Sequence, residues 1–281
     1  MSLLAVPDRV TAGADPLPLA VVALLAGGYL FALSRDRRGW PRRRTGAWLA
    51  GCALLAVALG PPALLPAGHA GHLAQHLLLG MFAPLALVLG APMTLLLRVA
   101  PPPVRRAVAR VLRARPFHVL AHPATAVLLS TGGLWLVLVT PLYVATESHR
   151  LLHHGLHLHY LLAGYLLAWS VAGPDPAPRR PGLPVRLGAL FVAAAGHSAL
   201  AKYLYAHADA LPPGLAERDV DELRAAAQLM YYGGDLAELL LATVLFAAWY
   251  RRRSSRPVRG PGGSAPGQVG RYSTSGRPGV P

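Results

Sequence analysis

Seven apolar blocks, each of a length that can cross a bilayer, punctuate the chain: residues 17–33, 46–65, 72–97, 123–143, 155–173, 187–207 and 228–250. A bilayer core of about 30 Å needs a helix of roughly 17 to 25 residues. Backbone polar groups inside that core must be satisfied within the segment, and helices do this. The blocks therefore predict an all-α fold: a polytopic membrane protein built as a seven-transmembrane-helix bundle. Composition agrees. The chain is 54% hydrophobic and 14% charged, with a mean hydropathy of +0.41, where a soluble domain carries about 25% charge.

The net charge of +15 would suit a nucleic-acid binder, but its distribution points elsewhere. Arginines crowd alternate gaps between blocks. Arg35 to Arg44, Arg98 to Arg115 and Arg179 to Arg186 fill gaps one, three and five, and Arg251-Arg252-Arg253 follows the last block. Gap two has no arginine and gap four only Arg150, while gap six sets Arg218 and Arg224 among acids from Asp209 to Glu222. Cytoplasmic loops carry the positive excess, so the N-terminus is expected outside and the C-terminus in the cytoplasm. Seven spans require the same arrangement. The expected partition is an extracytoplasmic segment 1–16, a membrane domain 17–250, and a disordered basic cytoplasmic tail 251–281, rich in Gly, Pro, Ser and Arg. The first block is expected to be retained, because Ser34-Arg-Asp-Arg-Arg38 follows it in place of a small-residue cleavage site. Pro101 to Arg115 is expected as a short amphipathic surface helix whose arginines meet anionic lipid. The acidic gap 209–224 is a candidate docking surface or a solvated loop. The single cysteine, Cys52, allows no intramolecular disulfide and no CxxC motif, and is expected as a small buried hydrophobe.

Ionisable residues inside spans are costly and mark function. Here they gather toward the predicted outer leaflet. His69, His72 and His76 open span three at spacings of three and four, within about one 60° sector of a helix. His153 and His157 repeat the i, i+4 spacing at the head of span five, and His149 extends their stripe. His197 lies near the middle of span six, followed by Lys202 and His207. Span seven carries Asp235 and Glu238 in its outer half. Asp235 in lipid requires a partner, expected to be Lys202 or a histidine. His154 and His159 point away from the His153–His157 stripe, which makes His159 a packing or hydrogen-bonding residue. His118 and His122 are expected at the cytoplasmic surface.

The chemistry admits three occupants. Two His-x-x-x-His pairs on neighbouring helices offer four imidazoles that suit copper or zinc, with Asp235 and Glu238 orienting ring N–H groups from behind. One histidine from each cluster could instead hold haem iron from opposite sides. A proton path or ion transporter of His, Asp and Glu is the third. Interhelical hydrogen bonding alone is the bland counterpart of all three.

The motifs carry a resemblance. Gly71-His72-Leu-Ala-Gln-His76-Leu-Leu-Leu-Gly-Met-Phe-Ala-Pro84, then Gly90-Ala-Pro92, Thr140-Pro141-Leu-Tyr143, and His157-Leu-His159-Tyr-Leu-Leu-Ala-Gly164-Tyr-Leu-Leu-Ala-Trp169 leading to Gly173-Pro-Asp175-Pro176, resemble the CtaG family of cytochrome c oxidase assembly factors associated with caa-type oxidases. His197 and Gly233-Gly-Asp235 match further positions, and the arginine- and alanine-rich composition resembles actinobacterial members. The resemblance implies a non-enzymatic assembly factor of a bacterial plasma membrane that helps a haem-copper oxidase acquire the copper of its CuB centre. Its implied partners are oxidase subunits, other copper chaperones and membrane lipid. Copper is expected to enter at the outer face and be held by His72, His76, His153 and His157, with His197 below as inner ligand or relay and Asp235 orienting an imidazole. Two positions depart from the family pattern: Val139 stands where many members carry histidine, and Leu156 where glutamate is frequent.

Overall fold

A computed structural model of the protein describes residues 16–254, except 178, 179 and 216. Of the expected flanks, residues 1–15 and the tail beyond Ser254 lie outside the described residues. All described secondary structure is helical. In chain order the α-helices are α1 (Pro16–Arg35), α2 (Arg42–Leu59), α3 (Gly68–Leu77), α4 (Ala83–Leu89), α5 (Pro92–Val99), α6 (Pro102–Arg113), α7 (Arg115–Leu120), α8 (Pro123–Val127), α9 (Gly133–Val139), α10 (Leu142–Ser148), α11 (Arg150–Ala172), α12 (Leu183–Ala206) and α13 (Val220–Ser254). Four stretches are long and apolar enough to cross a membrane: Pro16–Arg35, Gly68–Val99, Leu183–Ala206 and Val220–Arg251.

The other three expected blocks also form helices, but each is shorter or more polar. α2 has 18 residues and begins with three arginines. Pro123–Val139 is a shorter apolar stretch. It ends before the predicted 143, because the chain turns extended at Thr140 and restarts as α10. α11 runs 23 residues, about 34 Å at 1.5 Å per residue, with histidines breaking its apolar first half. The expected amphipathic helix after span three is α6, whose Arg105, Arg106, Arg110 and Arg113 are all exposed.

Two π-helical turns shape the site. Leu78–Phe82 joins α3 to α4. Pro84, in the first turn of α4, has no N–H to donate to the Gly80 carbonyl four residues back, and a widened turn accommodates the missing bond. α11 crosses at this point. A Cβ on Gly164 would overlap the Gly80 carbonyl oxygen, so the helices meet backbone to backbone. The second π turn, Leu128–Gly132, joins α8 to α9. There His159 Nε2 lies 3.0 Å from the Leu129 carbonyl. A carbonyl only accepts, so the proton sits on Nε2 and the ring donates. A Cβ on Gly133 would overlap that nitrogen. His159 thus bonds helix to helix, as its place on α11 leads one to expect.

The Gly68–Val99 stretch breaks once more at Gly90-Ala91-Pro92, where buried Ala91 takes φ 51°, costly for a residue with a Cβ. Side chains from elsewhere hold the break. Tyr29 donates to the Gly90 carbonyl at 2.8 Å. The buried Asp175 carboxylate accepts from Met93 N–H at 3.2 Å, Thr94 N–H at 2.8 Å and Thr94 Oγ1 at 2.5 Å, covering the N-terminus of α5.

Packing is set by small residues at crossings and apolar faces between them. α13 lies against α12 and α3, α4 against α2 and α11, and α8 against α11 and α12. One buried apolar cluster includes Leu55, Leu73, Leu79, Leu134, Leu138, Leu200 and Met230; a second includes Val88, Ala126, Leu167, Trp169, Leu190 and Leu245. Leu24, Phe31, Leu136, Phe191, Leu239 and Phe246 stay exposed, as expected of faces turned to lipid. Cys52 is buried in the first cluster. Arg98 pairs with Asp36 at 3.4 Å, and Asp175 reaches α5. These contacts gather the Arg35–Arg44, Arg98–Arg115 and Asp175–Arg186 segments at one end of the bundle. Glu222 contacts His69, and Tyr143 contacts the same residue, at the other end.

Candidate functional site

The histidines singled out on α3, α11 and α12 and the acids on α13 come from helices that pack together, and the central histidines form two tiers. The upper tier holds His69, His72, His153 and His157. His69 N–H donates to Glu222 Oε1 at 2.7 Å, so a carboxylate from α13 caps the first turn of α3. Gly68, at φ +65°, lets the chain enter there, and a Cβ on it would overlap the same carboxylate. His69 Nδ1 and the Tyr143 hydroxyl lie 3.0 Å apart. The His72 ring stands edge-on to Tyr143 with centroids 4.8 Å apart. His153 and His157 have ring centroids 4.2 Å apart, and both are within electrostatic reach of His72. The i, i+4 pairs of α3 and α11 thus face each other at His72.

The lower tier lies one helical turn further along α3. His76 and His197 stack with ring centroids 6.2 Å apart and planes 23° apart. They are 6% and 4% exposed. All four of their ring nitrogens are buried without a hydrogen-bond partner among the described residues. Burying an unpaired polar nitrogen costs about 1–3 kcal/mol, so two such imidazoles side by side are expensive. Tyr160 closes the tier from α11, edge-on to His76 at 4.6 Å. Two glycines make the room. Gly80 lies against His76, and a Cβ on Gly234 would overlap the His197 ring.

Asp235 lies next along α13, within electrostatic reach of His197. Its hydrogen-bond donor is neither Lys202 nor a histidine, as expected, but the Ser198 hydroxyl at 3.0 Å. Lys202 instead sets its ammonium over the Tyr231 ring at 5.2 Å, because it leaves α12 on the exposed side. Glu238 is buried one turn further on, near Asp235. His149 and His207 are exposed and His154 is half-buried. Val139 is half-buried against the first apolar cluster, so the position where relatives of the resembled family carry histidine is here part of the packing.

The arrangement offers paired imidazoles at two depths and carboxylates behind the deeper pair. Among the described residues, no group of three or more His, Cys, Asp or Glu side chains converges on one point as a ready-made metal cage. Two imidazoles sharing an ion at metal–nitrogen bonds of about 2.0 Å have centroids roughly 5–6 Å apart. The His76–His197 pair, at 6.2 Å, lies just beyond that range. Tyr143, Tyr160, Ser198, Glu222 and Gly234 belong to the site on geometric grounds. Only Gly234, in the Gly-Gly-Asp run, and the tyrosines, inside the quoted motifs, left any trace in the sequence.

Comparison with known proteins adds the family. The model of the cytochrome c oxidase caa3 assembly factor family matches residues 27–252. An uncharacterized protein of Mycobacterium tuberculosis and one of Mycobacterium bovis are each 38% identical over 196 residues, covering 66% of this chain and 30% of the relative. An uncharacterized protein of Mycobacterium leprae is 30% identical over 266 residues, covering 87% of this chain and 40% of the relative. The chain therefore spans less than half the length of these curated relatives. No solved structure matches it. The family match takes in both histidine tiers, both π turns and the Asp175 cap, and the chain belongs to the cytochrome c oxidase caa3 assembly factor family.

Proposed function

We propose that this protein serves assembly of a haem-copper oxidase by passing copper ions, as cargo, through the two histidine tiers. His72, His153 and His157 receive the ion, and His76 and His197 hold it. The observation that carries the reading is the stacked His76–His197 pair, whose four ring nitrogens have no partner among the described residues. Natural proteins rarely leave buried polar atoms unpaired, and those that do need an explanation such as an ion. Imidazoles suit copper, and a site without thiolate favours exchange over retention. Asp235, within electrostatic reach of His197, offsets the charge of the ion.

Seven passes with the N-terminus outside are part of the same proposal. Their support is the gathering of the arginine-rich segments at the end opposite the histidines. That orientation puts the upper tier at the outer face of a bacterial plasma membrane, with oxidase subunits and partner chaperones as the implied donors and acceptors.

The test is copper titration of purified protein, with metal analysis and an optical spectrum. The expected outcome is near-stoichiometric copper with no Soret band, lost in a His76→Ala, His197→Ala variant that still folds. A Soret band removed by the same variant would make the pair haem ligands instead. Oxidase assembly in a deletion strain complemented with the double variant then tests whether copper binding serves the oxidase.

A further inference from the structure

At the end of the bundle remote from the histidine tiers, a cavity of about 170 Å³ with a mainly apolar wall opens between α7, the last turn of α11 and the loop that follows it. Trp169 on its wall is 12 residues beyond His157 along α11, about 18 Å away. His118, His122, Trp169, Ser170 and Arg180 line it, with Phe117 edge-on to Trp169 at 5.7 Å. Both His118 and His122 are expected at the cytoplasmic surface. His122 is exposed accordingly, whereas His118 is half-buried and both its ring nitrogens are covered, where Phe117 of α7 packs on Trp169 of α11.

A few polar groups are set into that wall. Arg180 contributes a fixed charge, and its guanidinium is tied to the carbonyls of Gly173, Asp175 and Trp169, which holds it in place over the Trp169 ring at 5.8 Å. His122 Nδ1 accepts from Ala124 N–H at 3.2 Å. The proton of the neutral ring is therefore on Nε2, which donates. Both nitrogens of His118 are buried without a partner among the described residues. Either tautomer presents an N–H. Ser170 spends its own proton on the Leu167 carbonyl at 3.1 Å. No acidic residue is among the described lining residues. The nearby Asp175 carboxylate is occupied by α5.

A cavity with a fixed cation, imidazole donors and no carboxylate is built for an anion. Its place supplies the class. α7 on its wall follows directly on α6, whose exposed arginines suit an anionic headgroup layer, and the cavity has room for a group the size of phosphate. We infer that this cavity binds a phosphate-bearing anion, either the headgroup of an anionic phospholipid or free phosphate. The site is separate from the histidine tiers and does not depend on copper.

The test is isothermal titration of the full chain in maltoside detergent with two probes, dihexanoyl phosphatidylglycerol and inorganic phosphate. Dihexanoyl phosphatidylcholine serves as a charge-neutral control. Binding is expected for at least one phosphate probe and at least tenfold weaker in His118→Glu, which puts a carboxylate among the donors. Ala177→Glu does the same from the facing loop and serves if the first variant unfolds early. Phosphatidylglycerol binding without phosphate binding assigns the lipid headgroup; competition between the two assigns the phosphate group itself. Absence of binding by both probes, equal binding of the neutral lipid, or unchanged affinity in a folded variant overturns the inference. Copper stoichiometry of both variants is expected to equal that of the wild type.

Discussion

Gly234 and His197 share one volume: a Cβ on the glycine would overlap the imidazole. The α13 backbone is therefore the floor on which the His197 ring lies, and the ring's position beside His76 depends on a missing side chain. Gly234→Ala forces the ring to move or α13 to shift. Overpacking of this kind costs about 1–3 kcal/mol. The expected outcome is a lower unfolding temperature and copper affinity weakened roughly tenfold or more, the loss an outer-shell change typically brings. Gly233→Ala is the comparison. A Cβ there meets the flexible end of Leu77, so stability falls and copper affinity changes little. Calorimetry with both variants separates the two effects.

The unpaired pair predicts an opposite response in stability and in binding. His197→Leu removes two buried unsatisfied nitrogens and fills the space with an apolar side chain of similar size. Replacing such a group is expected to raise metal-free stability by about 1 kcal/mol, while copper binding is lost. A site that costs stability for function behaves in this way. Thermal unfolding of the metal-free proteins in the same detergent reads the first effect, and metal analysis the second. A variant less stable than the wild type would mean that the ring has a structural partner.

Glu222 makes the upper tier dependent on α13. Its carboxylate accepts from His69 N–H at 2.7 Å across 153 residues of sequence. Glu222→Ala leaves the first turn of α3 without this cap, at an expected cost of about 1–3 kcal/mol for a hydrogen bond to a charged group. Glu222→Gln keeps an acceptor and is expected to lose less. Hydrogen exchange at the start of α3 is the measurement, with faster exchange confined to that turn.

How much of this was legible in the sequence follows from what each signal encodes. Block length and arginine alternation report on single segments, so the helices of the bundle were readable from composition and order. The i, i+4 histidines were readable because helix geometry alone puts them on one face. Which ring meets which was not. The sequence grouped His76 with His153 and His157, whereas His76 stacks on His197 because the π turn before Pro84 and the crossing at Gly164 set the relative rotation of α3 and α11. Pro84 announced a missing backbone bond but not the form of its repair. Ser198 as the partner of Asp235, and Glu222 as the cap of α3, depend on the register of α12 and α13, on which spacing within one segment is silent. Lys202 misled for the same reason: its charge suited Asp235, and its direction did not.

Asp175 is the matching lock at the other end. It is 2% exposed and accepts from both backbone and side chain of Thr94. Asp175→Ala leaves buried donors at the Gly90-Ala91-Pro92 break unpaired, at an expected cost of about 2–4 kcal/mol. Thr94→Val removes one of the same bonds, so the two substitutions are expected to be less than additive by about 1 kcal/mol. A double-mutant cycle on thermal unfolding measures this. Copper binding is expected to be unchanged in each folded variant, since the lock lies at the end opposite the histidines.

The two tiers predict that kinetics and equilibrium respond to different histidines. The upper tier is half-buried at His72 and His153 and is the first imidazole group an ion meets from that end. The lower tier is closed by Tyr160 and buried on all sides. If ions enter through the upper rings and rest on the lower ones, His153→Ala slows uptake while leaving the final affinity within about threefold, because the resting ligands are intact. His76→Ala lowers equilibrium affinity by more than the roughly 10- to 100-fold that loss of an outer-shell partner costs, while the first encounter with the upper tier continues at its normal rate. Stopped-flow mixing with copper, followed by equilibrium titration of the same samples, reads both quantities. Equal losses of rate and affinity in the two variants would merge the tiers into one site. A loss confined to His153→Ala would move the resting ion to the upper tier, where His72, His153 and His157 would hold it.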